Sequence, residues 1–340
     1  MKTLLRGKKA MGPLDVLAQR ETERFRARSL SQHGRANDLG GLDPKLIEHY
    51  SVSVATHPDN ASSNRYVDIH PYNRTAVLAG GSRYLNASWI LELHGGKWWV
   101  ATQAPLPDTA NAFLSFIMNP ITTPASRHHC RIRTIVQLTR HSEAGRVKAH
   151  PYFPSIVGQS AVLEAGDAGA APLKVTTLKV EDIREASCIK TTVSVSTISG
   201  SQTHVFQHLL YGAWPDHGVP SHADRSTLLS FLLLVDRVNR EGFADDPPIV
   251  AGCSAGVGRT GAFIALSSLL RSRKVLSPAK EPSPPQVLPP SPIGPLPKSV
   301  ENDAVVKEID SLREQRPGMV QRDEQVRLIY EVLQDATERR

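Results

Sequence analysis

The 340-residue sequence predicts an α/β fold in which helices cover both faces of a central mixed, twisted β-sheet. Segments rich in β-branched and apolar residues predict strands, at 97–102, 134–138, 173–180, 191–197 and 204–210. Segments with helical periodicity predict helices, at 109–119, 221–239 (with Ser221 as its cap), 260–270, 300–315 and 323–338. An apolar run at 247–251 leads through a glycine-rich loop into the helix at 260, so a strand, a tight loop and a helix follow one another directly.

The glycine-rich loop, residues 253–261 (CSAGVGRTG), combines a nucleophile with an anion-binding cradle. Backbone N–H groups of such a loop converge with the helix N-terminus on one point, which suits a tetrahedral oxyanion. The same dipoles and the Arg259 cation favour the thiolate of Cys253. The planar guanidinium of Arg259 can bind two phosphate oxygens at once. Together these features predict nucleophilic attack on phosphorus.

Other interpretations of this loop compete with that prediction. Residues 256–261 match the G-x-G-x-x-G pattern of dinucleotide-binding folds, which require an acidic residue at the end of a second strand about 20 positions on. The chain is proline-rich there, and Glu281 lies inside that stretch. A nucleotide-triphosphate loop would end in Gly-Lys-Ser/Thr, which is absent. If Cys253 is considered without the rest of the loop, the alternative is a buried structural cysteine.

A thiolate that attacks a phosphate ester needs an acid to protonate the departing oxygen. Asp216 is the candidate, in a loop shaped by two prolines and a glycine (WPDHGVP, 214–220), 37 residues before Cys253. Loops of this kind carry movable catalytic groups. Trp214 can anchor the loop while Asp216 swings over the site. The alternative is an ordinary turn-forming aspartate.

Two further segments supply binding groups. Tyr66, in the sequence NRYVD (64–68), could form one wall of a deep cleft and stack on an aromatic substrate. Gln321 and Gln325 are neutral amides that both donate and accept, so they can orient a water without competing as nucleophiles.

These segments occur in the order found in the cysteine-dependent protein tyrosine phosphatases, of the phosphotyrosine-specific, non-receptor type. The resemblance runs from about Asn64 to Leu333, and residues 84–88, 101–106, 143–148 and 152–154 also resemble family signatures. It implies one catalytic domain over residues 41–340.

The resemblance also implies roles for individual residues. Cys253 would form a phosphocysteine, and Asp216 would protonate the tyrosine oxygen and later accept a proton from water. Neither a metal nor an organic cofactor is implied. The remaining roles are these: Arg259 and the loop Ser254, Ala255, Gly256, Val257 and Gly258 bind phosphate; Gln321 and Gln325 hold water; Thr260 stabilises the leaving thiolate; Tyr66 flanks the ring; Asp68 binds the peptide backbone; Glu143 orients Arg259, with Lys148 in the same loop. An ordinary solvated charge stays the alternative for Glu143.

Gly252 departs from the family, whose members usually carry histidine immediately before the nucleophile. Losing one charge-assisted hydrogen bond costs about 1.5–3 kcal/mol, or roughly one to two pKa units. We expect Cys253 to be less acidic than in histidine-bearing relatives, yet functional.

Two classes of protein compete with a phosphotyrosine phosphatase. A catalytically impaired phosphotyrosine-binding module is suggested by Gly252 alone, and such modules commonly lose one of Cys253, Arg259, Asp216 or Gln321, which are all present here. Dual-specificity and phosphoinositide phosphatases are the other class. Their shallower pockets lack the wall at Tyr66, and lipid-directed members tend to carry lysines in the loop, where residues 254–258 have none.

The net charge of +7 is concentrated in a basic N-terminal extension, residues 1–40, with nine Lys/Arg against four Asp/Glu. We predict a solvated, charged helix at 13–30 with Leu14, Leu17 and Phe25 facing the body, and no nucleic-acid binding. The three cysteines form no metal or disulfide pattern, which favours a reducing compartment, the cytoplasm or also the nucleus. The longest apolar run, 228–235, is too short to span a membrane.

Residues 278–297 contain nine prolines, so residues 277–299 predict a disordered, proline-rich insertion that cannot pack a core. Ser277, Ser283 and Ser291 each precede a proline and are candidate kinase targets. A proline-reading module could dock here, although an inert insertion is favoured. The expected substrates are phosphotyrosine proteins, and a phosphorylated kinase is one candidate among them.

Overall fold

The computed structural model describes residues 11–32, 42–166, 170–215 and 218–338. The helices of these residues are α1 (Pro13–Gln32), α2 (Pro44–His49), α3 (Ala110–Met118), α4 (Arg225–Arg240), α5 (Gly258–Ser272), α6 (Ala304–Gln315) and α7 (Asp323–Glu338). The strands are β1 (Ala76–Ala79), β2 (Arg83–Leu91), β3 (Trp98–Gln103), β4 (Thr134–Gln137), β5 (Ser142–Glu143), β6 (Arg146–Val147), β7 (Ser160–Leu163), β8 (Leu173–Ile183), β9 (Cys188–Thr197), β10 (Thr203–Tyr211) and β11 (Ile249–Cys253).

The described strands form a mixed sheet in the order β1-β2-β3-β11-β4-β10-β9-β8-β7, with a separate β5-β6 hairpin. Strand β11 is parallel to both of its neighbours, β3 and β4, and β10 is parallel to β4. The other pairs are antiparallel. Since the carboxyl ends of the parallel strands meet at one edge, that edge is where a ligand site is expected.

Helices cover both faces of the sheet, as the sequence predicts. Along β11, Ile249 and Ala251 pack into one core, while Val250 packs into the other, because successive strand side chains point to opposite faces. The core of Ile249 includes side chains of α4, α5, α6 and α7, and that of Val250 includes most of α3. The fold class is therefore confirmed.

The N-terminal helix α1 differs from its prediction. Leu17 is buried as expected, but Phe25 is 55% exposed, so its assignment to the buried face was wrong. The expectation of a solvated helix holds for one face only, since the Arg24 side chain is fully buried and bonded to Asp310 and Glu314. Buried guanidinium groups are tolerated only with such partners, and the partners lie about 290 residues away in sequence.

The proline-rich segment between α5 and α6 lies along the surface and contains a short 3-10 helix at Pro285–Val287. It is attached to the body, because the N–H of Ser283 donates to the Gly96 carbonyl and Trp98 Nε1 donates to Ser283 Oγ, both at 2.9 Å. Ile293 and Leu296 pack against the buried clusters. The expectation that the segment makes no contribution to packing is therefore wrong for these two residues.

Two helices begin later than the sequence pattern indicates. Helix α4 starts at Arg225, and Ser221 lies in the preceding turn, where its hydroxyl donates to Asp224 at 2.7 Å. Helix α6 starts at Ala304, because Asp303 accepts from the N–H groups of the first turn and caps the helix. Among the described residues, no helix has the length and apolar character needed to cross a membrane.

Candidate active site

Strand β11 places Cys253 at the carboxyl edge of the sheet, where it lies beside Gln103 at the end of β3. Cys253 is 7% exposed, so the residue is buried with only a small part of its surface open to solvent. Helix α5 begins five residues later, at Gly258, and its first N–H groups have no intrahelical acceptor.

The loop between β11 and α5 directs its carbonyl groups outward. Each carbonyl from residue 254 to 257 accepts a hydrogen bond from the surrounding protein: Ser254 from Ala104 N (3.0 Å), Ala255 and Gly256 from Arg316 (3.1 and 2.9 Å), and Val257 from the N–H groups of Gly261 (2.8 Å) and Val320 (3.2 Å). The N–H groups of residues 254–256 have no protein acceptor in the described part of the chain. This arrangement leaves the N–H groups available for an oxyanion above the sulfur.

Arg316 shapes this loop and was missed as a site residue by the sequence reasoning. Its guanidinium is fully buried and also donates to Asn86 Oδ1 (2.8 Å) and Ser88 Oγ (3.2 Å) of β2. Burial lowers the pKa of Arg316 to about 10. Arg316 lies close to Gln321 in the sequence, but no local spacing connects it with Asn86, 230 positions earlier.

Gly256 permits the loop to approach β3. Its φ is +71°, and a Cβ at this position would lie 2.1 Å from the Thr102 carbonyl oxygen. No other residue type fits this position, because both the backbone conformation and the space require glycine.

Arg259 is held by a buried carboxylate. Its two terminal nitrogens donate to the two oxygens of Glu143 at 2.8 Å each, and it donates to the carbonyl groups of Leu138 and Pro215 at 3.0 and 2.8 Å. Glu143 is 8% exposed and accepts further bonds from Thr139 Oγ1 and Arg140 N, so it is not a solvated charge. A bidentate pair of this kind fixes the plane of the guanidinium.

The thiol of Cys253 is more acidic than an ordinary cysteine. Burial by itself raises the pKa of Cys253, but the hydroxyl and N–H of Thr260, the charge of Arg259 and the N–H of Val257 together outweigh burial and lower the pKa. In the described part of the chain, the Thr260 hydroxyl makes no hydrogen bond to oxygen or nitrogen, so it is available to the sulfur.

Tyr66 reaches the rim of the same loop. Its hydroxyl lies 2.8 Å from Ser254 Oγ, which in turn donates to the Lys148 carbonyl at 2.7 Å, so the Tyr66 hydroxyl is the donor of the pair. Tyr66 is half-buried and Asp68 is exposed at the rim. The backbone N–H of neighbouring Arg65 donates to Gln103 Oε1 at 2.9 Å, which attaches this segment to the end of β3.

Gln321 and Gln325 lie on the opposite side of the loop. A Cβ added to Gly258 would meet the Gln325 amide nitrogen at 3.0 Å and Gln321 Cβ at 3.6 Å, so the amide of Gln325 and the Cβ of Gln321 adjoin the loop. Gln325 is buried and Gln321 is exposed. Val320 precedes Gln321 with φ +57°, a strained conformation for a β-branched residue.

The loop that carries the predicted acid is attached to Arg259. Trp214 is 3% exposed and its Nε1 donates to the Gly218 carbonyl at 3.4 Å. The Pro215 carbonyl accepts from Arg259. Asp216 itself, with residue 217, lies outside the described residues.

The family model for the protein-tyrosine phosphatase domain matches residues 60–283, which is more than half of the chain. The chain belongs to the protein-tyrosine phosphatase family. The match includes Tyr66, Glu143 and the loop that begins at Cys253, whereas Gln321 and Gln325 follow its end.

Among curated relatives of this family member, the human receptor-type tyrosine-protein phosphatase H is 35% identical over 66% of the chain. The human tyrosine-protein phosphatase non-receptor type 14 is 34% identical over 67% of the chain. A human phosphatidylinositol phosphatase is 32% identical over 66% of the chain. The aligned regions cover only 19%, 19% and 9% of these relatives, so the chain spans a fifth or less of their length.

The structure explains why glycine occupies position 252 in this family member. A Cβ at residue 252 would lie 2.8 Å from the Thr102 carbonyl oxygen of the neighbouring strand, so any side chain requires a backbone shift. Cys253 is acidified here by Thr260, Arg259 and Val257 without a preceding histidine. Whether it is less acidic than in histidine-bearing relatives stays a prediction, and a Gly252→His variant would test it only after its stability had been measured.

We expect Cys253 to be alkylated by iodoacetamide at a lower pH than the other two thiols. Burial raises the pKa of Cys130 to about 11 and that of Cys188 to about 12, whereas the pKa of Cys253 is lowered. As pH rises, the reactive thiolate of Cys253 therefore forms first. Thr260→Val, which keeps the side-chain shape, should raise the midpoint of the alkylation profile by about one to two pH units. Mass spectrometry of each cysteine peptide across pH gives the profiles; equal midpoints for Cys253 and Cys130 would contradict the assignment.

Proposed function

We propose that this chain hydrolyses phosphotyrosine in proteins through a phosphocysteine intermediate. The observation that carries the proposal is the acidified sulfur of Cys253 at the floor of a loop whose carbonyl groups are all bonded outward, with Arg259 fixed beside it by Glu143. This site is built to hold a phosphate group against a nucleophile.

In the first step, the Cys253 sulfur attacks phosphorus, an S–P bond forms, and the bond from phosphorus to the tyrosine oxygen breaks. Asp216 gives its proton to that oxygen, which avoids the release of a phenolate whose conjugate acid has a pKa of about 10. Acid assistance of this kind contributes about 10²–10⁴-fold. The loop N–H groups and Arg259 stabilise the charge on the three transferring oxygens.

In the second step, a water attacks phosphorus, its proton passes to Asp216, and the S–P bond breaks to release phosphate and the thiolate. Gln321, assisted by Gln325, orients this water, since the Gln325 amide and the Cβ of Gln321 adjoin the loop at Gly258. The Thr260 hydroxyl stabilises the departing thiolate by the same hydrogen bond that lowers the pKa of Cys253.

Selectivity for tyrosine would come from Tyr66, which lies beside the loop with its hydroxyl 2.8 Å from Ser254 Oγ. A phosphate carried on a phenyl ring would reach the sulfur along this side chain. We propose that Tyr66 flanks that ring and that the exposed carboxylate of Asp68 binds the peptide backbone.

A lipid substrate is the second candidate, since one relative is by name a phosphatidylinositol phosphatase. Residues 254–258 carry no lysine to bind additional phosphates on an inositol ring. This absence favours the peptide substrate. The presence of the nucleophile with its acidified thiol disfavours an inert binding module.

The test compares one peptide carrying phosphotyrosine, phosphoserine or no phosphate, together with a soluble phosphoinositide. We expect kcat/KM for the phosphotyrosine peptide to exceed that for the phosphoserine peptide by about 10³-fold or more, because the shorter ester leaves phosphorus out of reach of the sulfur. Comparable rates for both peptides would indicate a dual-specificity phosphatase. Faster release from the phosphoinositide would replace the proposal by the lipid candidate.

Location and partners are finer parts of the same proposal. Three free cysteines, one of them a reactive thiolate, support a reducing compartment such as the cytoplasm or nucleus. The exposed prolines of residues 277–299 remain a candidate docking site for a proline-reading module. A phosphorylated kinase remains a candidate substrate.

A further inference from the structure

The three Ser-Pro serines of the proline-rich segment have different surroundings. Ser277 is exposed, and its side chain makes no hydrogen bond within the described ranges. Ser283 Oγ accepts a hydrogen bond from Trp98 Nε1. Ser291 Oγ instead donates a hydrogen bond, at 2.8 Å, to the carboxylate of Glu314. The half-buried Ser291 lies between the exposed prolines 290 and 292.

Glu314, near the end of α6, is the centre of a closed polar cluster. Its carboxylate accepts from Arg24 (2.7 Å) of α1 and from the hydroxyl of the fully buried Tyr50 (2.8 and 3.0 Å), and it lies 3.2 Å from His49 Nε2 of α2. Although burial opposes ionisation, the bonds from His49, Arg24 and Ser291 hold the pKa of Glu314 at about 2. Glu314 is therefore charged throughout the physiological range.

The other arginines of the cluster also have partners. Arg20 donates to Asp310 (2.8 Å) and to the Gly294 carbonyl (2.9 Å) of the proline-rich segment. Arg74 donates to the Glu314 carbonyl. The cluster thus joins α1, α2, α6 and the proline-rich segment.

Arg313, the residue before Glu314, connects this cluster with the active site. Its guanidinium donates to the carbonyl groups of Leu17 in α1 (2.9 Å), Met319 (2.9 Å) and Val320 (2.7 Å). Val320 holds the strained conformation that immediately precedes Gln321. Displacement of the end of α6 or of α1 would therefore disturb the amide that orients the hydrolytic water.

We propose that Ser291 is a phosphorylation site for a proline-directed kinase, and that its modification releases α1 from the end of α6 and slows the second step of the reaction. The kinase transfers the terminal phosphoryl group of ATP: the Ser291 Oγ–P bond forms, the bond to ADP breaks, and the hydroxyl proton leaves to solvent. The predicted effect on the reaction rests on the proposed function, whereas the phosphorylation of Ser291 and the release of α1 do not.

The chemistry of the phosphate distinguishes Ser291 from the other two serines. A phosphate at neutral pH carries a charge of about −1.5 to −2 and only accepts hydrogen bonds. At Ser283 it could still accept from Trp98. At Ser291 it would replace a donor that faces an ionised carboxylate. It would compete with Glu314 for Arg24 and with Asp310 for Arg20, whose Nη2 lies 3.5 Å from Ser291 Oγ. The closed cluster cannot hold both anions, so Glu314 separates from Arg24.

To test this, the full chain is treated with ATP and a proline-directed kinase, and the modified sites are mapped by mass spectrometry. Hydrogen exchange of α1 and the pre-steady-state release of p-nitrophenol from its phosphate ester are then measured. We expect phosphate on Ser291, amide exchange in residues 13–32 accelerated by about tenfold or more, and a reduced steady rate after an intact burst. Ser291→Ala should not respond to the kinase, whereas Ser277→Ala should respond like the wild type. Ser291→Glu should reproduce part of the change.

Absence of phosphate on Ser291 in the folded chain, or phosphate there with unchanged exchange in α1, would overturn the inference. Faster exchange in α1 with a proportional loss of burst and steady rate would overturn its assignment to the second step. If the unmodified protein releases no p-nitrophenol, the proposed function fails, while the exchange measurement still decides whether Ser291 controls the attachment of α1.

Discussion

Cys253→Ser should abolish hydrolysis of a phosphotyrosine peptide, with kcat/KM reduced by about 10⁴-fold or more. The hydrogen bonds and the Arg259 charge that lower the pKa of Cys253 bring the thiol into its nucleophilic form. A serine hydroxyl in the same place stays protonated and is a weak nucleophile at neutral pH. The phosphate cradle is left intact, so the variant should still bind the peptide. Steady-state kinetics and binding by fluorescence polarisation check both results.

Cys130→Ser is the matched control for the loss of a thiol. Cys130 is half-buried, and burial raises its pKa to about 11, so it is protonated at neutral pH. We expect Cys130→Ser to retain the wild-type rate. Activity remaining in Cys253→Ser, or lost in Cys130→Ser, would show that the nucleophile has been assigned to the wrong residue.

Gly256→Ala should reduce kcat/KM by about 10²–10³-fold, the effect of losing oxyanion donors. The added methyl group would lie 2.1 Å from the Thr102 oxygen and 2.3 Å from the Thr102 carbonyl carbon, both backbone atoms of β3. The loop must move away from the strand, which displaces the N–H groups from the oxyanion. Overpacking of this kind also costs about 1–3 kcal/mol in the free energy of unfolding. Kinetics together with urea denaturation separate the two effects.

Gly200→Ala controls for the backbone conformation alone. Gly200 has φ +72°, close to that of Gly256, but a Cβ there meets nothing within 4 Å. We expect a small stability loss of roughly 1 kcal/mol and normal kinetics for folded Gly200→Ala. If Gly256→Ala behaves in the same way as Gly200→Ala, close contact with Thr102 does not shape the site.

Much of the site could be predicted from local sequence. The order of strand, glycine loop and helix around Cys253 is a property of consecutive residues, and it predicts the position of the sulfur at a strand end and of Arg259 in the first turn of α5. Strand β11 was likewise available from the apolar run at 247–251, and helix α7 at Asp323–Glu338 from helical periodicity.

The contacts that hold the site in shape could not be predicted in this way. Arg316 bonds to the loop carbonyl of Gly256, 60 residues away, and to Asn86, 230 residues away, and Arg24 bonds to Glu314, 290 residues away, with no periodic signal. The composition of α1 and of residues 277–299 indicated solvated segments, because charged and proline-rich stretches cannot bury apolar area by themselves. Their arginine and serine side chains instead satisfy buried carboxylates that the rest of the chain supplies.

The amino-acid sequence by itself determined the chemical groups, the local strand–loop–helix geometry and the α/β class, since these depend on neighbouring residues and on periods of two and 3.6 residues. Only the tertiary structure decided that Gly256 is required by contact with Thr102, that Gly252 lies against the same residue, and that α1 and the proline-rich segment are joined to the end of α6. Close approach and charge pairing are properties of positions in space, and distance along the chain carries no information about them.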